Sequence, residues 1–295
     1  MRVLITGGSG FLGSALARQL AGDGHELVIL SRNPNRHSSK LTFAADWVKR
    51  LEDIQSPVDA VVNLAGANLF TLPWSRRRKD TLWRSRIETT ERLVQWMQQQ
   101  EQPPQALLSG SAVGFYGDQG DSLLTEVSPY GNGWSTEMVV AWENAASAAE
   151  RAGIRTVYLR TGLVLGNGGF MQPLLPTFKL GLGGSLADGQ FWFSWIHLQD
   201  WVNAVCFLLQ TPTLNGPVNL TAPEPVRYQE FARTLGEVLH RPVWLTPPRW
   251  VLKPALGERS ELMLSSTRAV PQQLQDAGYS WQYATLKPAL EAVCR

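Results

Sequence analysis

Apolar positions along the first half of the chain recur in two periods, and the change of period predicts where strands end and helices begin. A short apolar run, Val3 to Ile5, is typical of a buried strand, and a helix-like pattern then places Leu12, Leu16 and Leu20 on one face. A stretch of small residues lies between the two. We therefore expect a strand, a tight turn and a helix at this end of the chain.

Alternating strands and helices are predicted as far as residue 166. Further strands are indicated by the apolar runs at residues 25–32, 59–66, 105–117 and 154–166. Helices are indicated by the polar, helically periodic stretches at residues 75–100 and 135–151. This alternation favours an α/β fold of the Rossmann type, a doubly wound parallel sheet that binds ligands at the carboxyl ends of its strands.

Three glycines at a spacing of three, Gly7, Gly10 and Gly13, occupy the first predicted turn. Residues without a Cβ let a phosphate approach the backbone, and the helix that follows offers free N–H groups and the positive end of its dipole. We interpret this segment as a nucleotide-binding turn. The alternative is an ordinary glycine-rich connection between a strand and a helix.

The end of the second predicted strand, which reads SRN at residues 31–33, carries no carboxylate. A carboxylate there would bind the ribose 2′-hydroxyl of NAD, whereas an arginine pairs with the 2′-phosphate of NADP. Ser31 and Arg32 therefore predict NADP(H) rather than NAD(H). The alternative is that Arg32 is an ordinary surface residue at a strand end.

The composition changes after residue 166, where glycine and proline become frequent. We interpret residues 1–166 as an NADP-binding Rossmann core and residues 167–295 as a mixed, smaller C-terminal lobe that contacts the substrate. The patterns at 200–210 and 217–222 resemble one more helix and strand of the sheet. Residues from about 200 to 222 are therefore expected to return to the core.

The charge balance argues against a nucleic-acid partner. The formal net charge is +2, and charged residues make up 18% of the chain. The basic run at residues 76–79 has no aromatic interleaving beyond Trp74 and Trp83, so a solvated helix face is the simpler interpretation.

The cysteines and the apolar runs bear on the cellular compartment. Cys206 and Cys294 have no metal-ligand spacing, which predicts a reduced cytoplasmic protein without a metal site. The first apolar run is too short for a signal peptide, and no segment approaches the roughly 18 apolar residues of a membrane span.

Several motifs resemble the short-chain dehydrogenase/reductase superfamily, in the extended and atypical branch that includes nucleotide-sugar epimerases. They are TGGSGFLG at 6–13, NLAG at 63–66, SGSAVGFYG at 109–117 and RTGLVLG at 160–166. A narrower resemblance is to the YfcH-like epimerase-family proteins. It is carried by SRNP at 31–34, SRIETT at 85–90, SWIH at 194–197 followed by Asp200, and the tail pattern from Arg268 to Tyr279.

This resemblance implies a Rossmann domain that holds NADP and a small lobe that closes a substrate cleft. It implies that the pyrophosphate meets Gly7, Gly10, Phe11, Leu12 and Gly13. It also implies that the remaining cofactor site comprises Ser31, Arg32, Leu64, Ala65, Gly66, Arg86, Ser109 and Val164. Without the resemblance, Arg86 is an ordinary helix arginine and Val164 an ordinary strand residue.

The proton chemistry of the superfamily normally rests on a Tyr-x-x-x-Lys pair, in which the tyrosine is the general acid/base and the lysine lowers its pKa. When Glu143 is aligned with the glutamate that often follows this motif, Ser135 stands in place of the tyrosine and Val139 in place of the lysine. Either another group supplies the proton, or the protein binds NADP without rapid dehydrogenase chemistry.

Other residues are candidates for the missing roles. The candidates for proton transfer are Ser111, Tyr116 and His197. A packed aromatic residue is the simpler interpretation of Tyr116, and a structural histidine is at least as consistent with His197. The candidates for substrate contact are Gln190, Trp192 and Trp195, because aromatic faces suit a sugar or a nucleotide base, although packing explains the tryptophans equally well.

Two functions remain open from the sequence. One is an NADP-dependent oxidoreductase or epimerase of unknown small-molecule substrate, with a sugar or a nucleotide sugar as the candidate. The other is an NADP-binding sensor or regulatory protein with little or no dehydrogenase activity. The resemblance also suggests a homodimer that pairs through the helices at 75–100 and 135–151.

Overall fold

A computed structural model describes residues 1–38, 43–69 and 72–295 of the chain. Its strands are β1 (Arg2–Thr6), β2 (Glu26–Leu30), β3 (Asp46–Val48), β4 (Ala60–Asn63), β5 (Ala106–Ala112), β6 (Leu123–Leu124), β7 (Arg155–Thr161), β8 (Leu163–Leu165), β9 (Trp192–Phe193), β10 (Trp195–His197), β11 (Gly216–Leu220), β12 (Val226–Arg227) and β13 (Arg268–Ala269). Its helices are α1 (Phe11–Gly22), α2 (Pro34–Ser38), α3 (Arg76–Arg84), α4 (Ile87–Gln98), α5 (Trp134–Ser147), α6 (Met171–Lys179), α7 (Leu198–Gln210), α8 (Tyr228–Leu239), α9 (Arg249–Leu256), α10 (Ser260–Leu264), α11 (Gln272–Asp276) and α12 (Leu286–Cys294).

A seven-stranded parallel sheet forms the centre of the fold, in the order β3-β2-β1-β4-β5-β7-β11. The direction of winding reverses between β1 and β4, and doubly wound sheets bind their ligands at this switch point. The predicted α/β fold of the Rossmann type is confirmed. The edge strand β3 was not among the predicted strands, because its three residues are too few to show a period.

Both faces of the sheet are covered by helices, which explains why its strands read as continuous apolar runs. Val3 and Ile5 on one face of β1 belong to the same buried cluster as Leu16 of α1 and Trp201 of α7. Leu4, on the opposite face, is buried in a second cluster with residues of α4 and α5. The alternation of neighbouring side chains between two buried faces fixes the register of the strand.

Three predicted elements are shorter or divided in the structure. The helix expected over 75–100 is broken into α3 and α4, where Arg86 is buried and turns its guanidinium onto backbone carbonyls. The strand expected over 154–166 divides at Gly162, whose absent Cβ would lie 2.8 Å from the carbonyl oxygen of Ser194. Residues 105–117, expected as a strand that runs into a loop of small residues, form β5 as far as Ala112 and then a short 3-10 helix in place of the loop.

The later half of the chain packs partly on the core and partly as a separate cluster. Strand β11 pairs with β7 in the main sheet, and α7 packs beside α1. Asp200 of α7 accepts hydrogen bonds from the backbone N–H groups of Gln282 and Tyr283, at 2.7 and 2.9 Å. The SWIH motif and the chain tail are therefore one packing unit. The division of the chain at residue 166 and the homodimer stay predictions.

A third apolar cluster includes residues of β9, β12, α6, α8 and α12, and in it the rings of Phe193, Tyr228 and Phe231 contact one another. Within the described ranges, no helix has both the length and the apolar character that a membrane crossing requires.

Candidate functional site

The turn between β1 and α1 depends on its glycines. Gly7 has φ +69°, a backbone conformation that favours glycine, and a Cβ there would lie 2.5 Å from the carbonyl oxygen of Leu64. A Cβ on Gly13 would lie 2.3 Å from the carbonyl oxygen of Gly7. The glycines therefore let the turn pack directly against the end of β4 and against the first turn of α1.

The N-terminus of α1 is open to an anion. Gly10 occupies the N-cap position, and no side chain in the described part of the protein caps this helix. The first N–H groups of an uncapped helix, on Phe11, Leu12 and Gly13, have no intrahelical acceptor and lie at the positive end of the helix dipole. This arrangement fits the pyrophosphate of a dinucleotide.

The ends of β1 and β4 are joined by a buried hydrogen-bond chain. The Thr6 hydroxyl donates to Asn63 Oδ1 at 2.7 Å and accepts from the backbone N–H of Ala65 at 3.1 Å. Asn63 Nδ2 in turn donates to Thr90 at 2.8 Å and to Ser109 at 3.4 Å. Ser109 is fully buried, and its hydroxyl is part of this hydrogen-bond chain. Its contact with the cofactor stays a prediction.

Arg86 holds the loop that follows β4. Its guanidinium donates to the carbonyls of Leu82 and Ala67, both at 3.2 Å, and lies over the ring of Trp142. A Cβ on Gly66 would lie 3.1 Å from Arg86 Cζ, so the loop and the arginine are in close contact. Burial lowers the pKa of Arg86 to about 10. The structure thus gives Arg86 a positioning contact with residues 65–67, which sequence reasoning missed.

The carboxyl end of β2 has the features expected of an NADP site. Ser31 is buried, with its backbone N–H donated to Val48 at 3.0 Å and its hydroxyl accepting from the N–H of Asn33 at 3.3 Å. Arg32 is exposed at the strand end. The segment 31–38 contains no acidic residue that would repel a 2′-phosphate.

A cavity of about 260 Å³ begins at the first turn of α1 and extends between the sheet end and the aromatic cluster. Its apolar wall includes Phe11, Leu12, Val164, Phe191, Phe193 and Met263. Residues with hydroxyl groups also line it, among them Ser135, Thr161, Ser194, Tyr228 and Thr267. In the described parts of the chain, no charged side chain lines it.

Ser135, the residue in the place of the usual tyrosine, lines this cavity and is bonded to a carboxylate. Glu261 Oε1 accepts a hydrogen bond from Ser135 Oγ at 2.7 Å and another from the Ser135 backbone N–H at 3.1 Å. The carboxylate is partly exposed and lies at the N-terminus of α5, where the helix dipole favours a negative charge. Glu261 belongs to α10, outside every motif, so no sequence pattern indicated that it pairs with Ser135.

Two of the predicted proton-transfer residues, Ser111 and Tyr116, lie in a buried ion-pair network away from the cavity lining. Ser111 Oγ donates to Glu143 Oε1 at 2.6 Å, and that carboxylate is held by Arg160 at 2.8 and 2.9 Å. Tyr116 is fully buried, and its hydroxyl donates to Asn219 and accepts from Arg160. Burial raises the pKa of Tyr116. These contacts favour the packing interpretation of Tyr116 over the catalytic one.

Trp195 and Gln190 are also placed away from the cavity lining. Trp195 is fully buried inside the lobe cluster, which favours the packing interpretation; its role as a substrate contact stays a prediction. Gln190 is exposed and bonds to Gln229 at 2.9 Å. Trp192 does line the cavity, with its ring between the guanidinium groups of Arg227 and Arg268.

His197 acts as a cap in the structure. Its Nδ1 accepts a hydrogen bond at 3.1 Å from the backbone N–H of Gln199 in the first turn of α7, and its ring packs on Tyr283. It borders a neighbouring cleft instead of the apolar cavity. Burial lowers the pKa of His197 from 6.5 to about 4, so the ring is neutral at physiological pH. These contacts favour the structural interpretation over the catalytic one.

The substitution His197→Asn is expected to make stability less sensitive to acid. The unfolded chain binds a proton on His197 near pH 6.5, whereas the folded chain does so only near pH 4, so stability is lost as the pH falls between these values. Asparagine keeps the cap and does not titrate. Thermal unfolding between pH 7 and 4 should show a smaller loss of stability in the asparagine variant than in the wild type. His197→Ala should be about 1 kcal/mol less stable than the wild type even at pH 7. Parallel curves for wild type and asparagine variant would contradict this role.

Comparison with known sequences finds relatives over nearly the whole chain. Residues 3–220 match the NAD dependent epimerase/dehydratase family, and residues 247–293 match a domain of unknown function, DUF1731. The epimerase family protein YfhF of Bacillus subtilis is 34% identical over 98% of this chain and 97% of its own length.

Solved structures share the fold of this chain. A crystal structure of human epimerase family protein SDR39U1 with NADPH is 31% identical, covers 99% of both chains and has a TM-score of 0.91. The nucleoside-diphosphate sugar epimerase from Corynebacterium glutamicum is 28% identical, with a TM-score of 0.78 over 99% of this chain and 58% of that chain.

Proposed function

This chain belongs to the NAD dependent epimerase/dehydratase family, and on that premise we propose that it is an NADP(H)-dependent oxidoreductase of the epimerase-like type, acting on a small molecule in the apolar cavity. The motif resemblance to the epimerase-family proteins is confirmed by the match to YfhF. An atypical place within the short-chain dehydrogenase/reductase superfamily and a cytoplasmic location are parts of the same proposal.

The observation that carries this proposal is that the cavity and the anion site share one turn of α1. Phe11 and Leu12 line the cavity, while the backbone of the same turn offers free N–H groups to a pyrophosphate. The exposed Arg32 favours a cofactor with a 2′-phosphate, in agreement with the NADPH of the human relative's crystal structure. When bound, NADP(H) supplies or accepts a hydride.

Proton transfer is assigned to Ser135 and Glu261. Reduction of a carbonyl needs a proton at its oxygen, and oxidation of an alcohol releases one. Ser135 lines the cavity, and its Oγ is hydrogen-bonded at 2.7 Å to the carboxylate of Glu261, a partly exposed residue. The hydroxyl therefore exchanges a proton with the substrate oxygen, and Glu261 exchanges it with solvent.

The alternative function, an NADP-binding sensor, is favoured by one observation. Val139 occupies the place of the lysine that normally holds the cofactor ribose and acidifies the tyrosine, and this valine is buried. A protein of this kind would bind NADP(H) and the cavity ligand without rapid turnover. It predicts tight NADPH binding together with an absence of NADPH oxidation for every carbonyl compound tried.

The substitution Arg32→Ala tests the cofactor assignment. Loss of a charged hydrogen bond to the 2′-phosphate should weaken NADPH binding by about 10- to 100-fold and leave NADH binding within about twofold of the wild type. Titration followed by NADPH fluorescence measures both. The charge-matched control is Arg92→Ala, on the exposed side of α4, which should change neither affinity. Unchanged NADPH affinity in Arg32→Ala would show that Arg32 is a surface residue only.

A further inference from the structure

The chemistry of the cavity wall is different from that of a nucleotide-sugar site. A nucleotide sugar carries a diphosphate with two negative charges, and a buried anion needs arginine, lysine or a dense set of donors. No charged side chain in the described residues lines this cavity. Two arginines beside the lining residue Trp192 are not themselves part of the lining: Arg227 pairs with Asp121 at 2.7 Å, and Arg268 lies on the ring of Trp192.

One polar group in the cavity wall has no partner of its own. Tyr228 is 2% exposed, lines the cavity and packs among Phe191, Phe193 and Phe231. Its buried hydroxyl makes no hydrogen bond within the part of the chain that the structure describes. Burial raises the pKa of Tyr228, which keeps the hydroxyl protonated and able to donate. A buried hydroxyl without a partner is costly, and a ligand oxygen would remove that cost.

We propose that the cavity binds an uncharged, largely apolar molecule with a carbonyl or hydroxyl oxygen, and that the Tyr228 hydroxyl donates a hydrogen bond to that oxygen. The inference rests on the proposed function of the same site and names its substrate class. Aromatic and aliphatic walls supply the affinity through burial of apolar surface, and the single tyrosine hydroxyl supplies orientation. The diphosphate of a nucleotide sugar would find no charged side chain to pair with among the described residues that line this cavity.

The test uses the full chain saturated with NADPH and three ketones of increasing size: cyclohexanone, 1-tetralone and 2-acetylnaphthalene. Tryptophan fluorescence and calorimetry give the affinities, with UDP-glucose as the charged probe. At least one ketone should bind, and Tyr228→Phe should weaken that ketone about fivefold while leaving its deoxygenated hydrocarbon unchanged. The control Tyr283→Phe, outside the cavity, should not alter either affinity.

The unfolding temperature of Tyr228→Phe gives a second readout, because it would fall if the hydroxyl had a hydrogen-bond partner within the protein. Because the hydroxyl has no partner in the free protein, Tyr228→Phe should unfold at the same temperature as the wild type or higher. The inference is overturned if no ketone binds, if UDP-glucose binds and displaces the ketone, or if Tyr228→Phe binds the ketone as well as the wild type. NADPH binding is measured separately. If NADPH itself does not bind, the proposed function has failed and not only the substrate class.

Discussion

Replacement of Glu143 by alanine is expected to lower the free energy of unfolding by about 3–5 kcal/mol. Glu143 and Arg160 are both buried and form a bidentate pair, with the guanidinium lying over the ring of Phe115 at 3.4 Å. Removal of the carboxylate leaves the arginine charge with Tyr116 and a backbone carbonyl as its remaining acceptors. A buried charge without its counter-ion costs far more than the net value of the pair.

Chemical denaturation of the wild type and the variant measures this loss. Asp80→Ala, which breaks an exposed pair with Arg84, is the matched control and should cost less than about 1 kcal/mol. The double variant Glu143→Leu with Arg160→Met removes both charges and should recover most of the stability. A loss below about 1 kcal/mol in Glu143→Ala would contradict the importance assigned to the pair.

Replacement of Ser135 by alanine is expected to reduce turnover at least about a hundredfold, the lower range for loss of a general acid/base. The substitution removes the cavity hydroxyl that is bonded to Glu261 at 2.7 Å. Glu261→Gln should reduce turnover by at least about tenfold, because an amide keeps the hydrogen bond and does not exchange a proton. NADPH oxidation at 340 nm with the best-binding ketone measures both, and NADPH affinity should be unchanged in each variant.

Ser147→Ala, at the other end of α5, is the matched control and should retain full turnover. Equal turnover in wild type and Ser135→Ala would remove Ser135 from the proton path. NADPH and ketone binding with no turnover in the wild type would favour the sensor function instead.

Local patterns were enough to predict the fold of the core and the glycine turn between its first strand and helix. The strand, glycine turn and helix at residues 2–22 lie next to one another in the sequence, so their period and spacing carry the geometry directly. Phe11, Leu12 and Val164, assigned through the family resemblance, do line one cavity. Arg32 is exposed at a strand end, as its position after the second apolar run indicated.

The substrate half of the site could not be predicted in the same way, because its contacts join distant segments. Ser135 and Glu261 are 126 positions apart, and neither lies in a motif that specifies the other. Tyr116 and Trp195 are aromatic residues in recognisable motifs, yet tertiary packing buries both fully. Tyr228 gave no sequence signal, since an unpartnered hydroxyl is a property of its surroundings and not of its neighbours in the chain.

The central claim is that the turn at α1 and the end of β2 form an NADP(H) site. The most direct test is a titration of the unmodified chain with NADPH and with NADH at the same ionic strength. NADPH is expected to bind at least about tenfold more tightly than NADH, a difference of about 1.4 kcal/mol that reports the 2′-phosphate contact. Equal or tighter binding of NADH, or no binding of either, would contradict it.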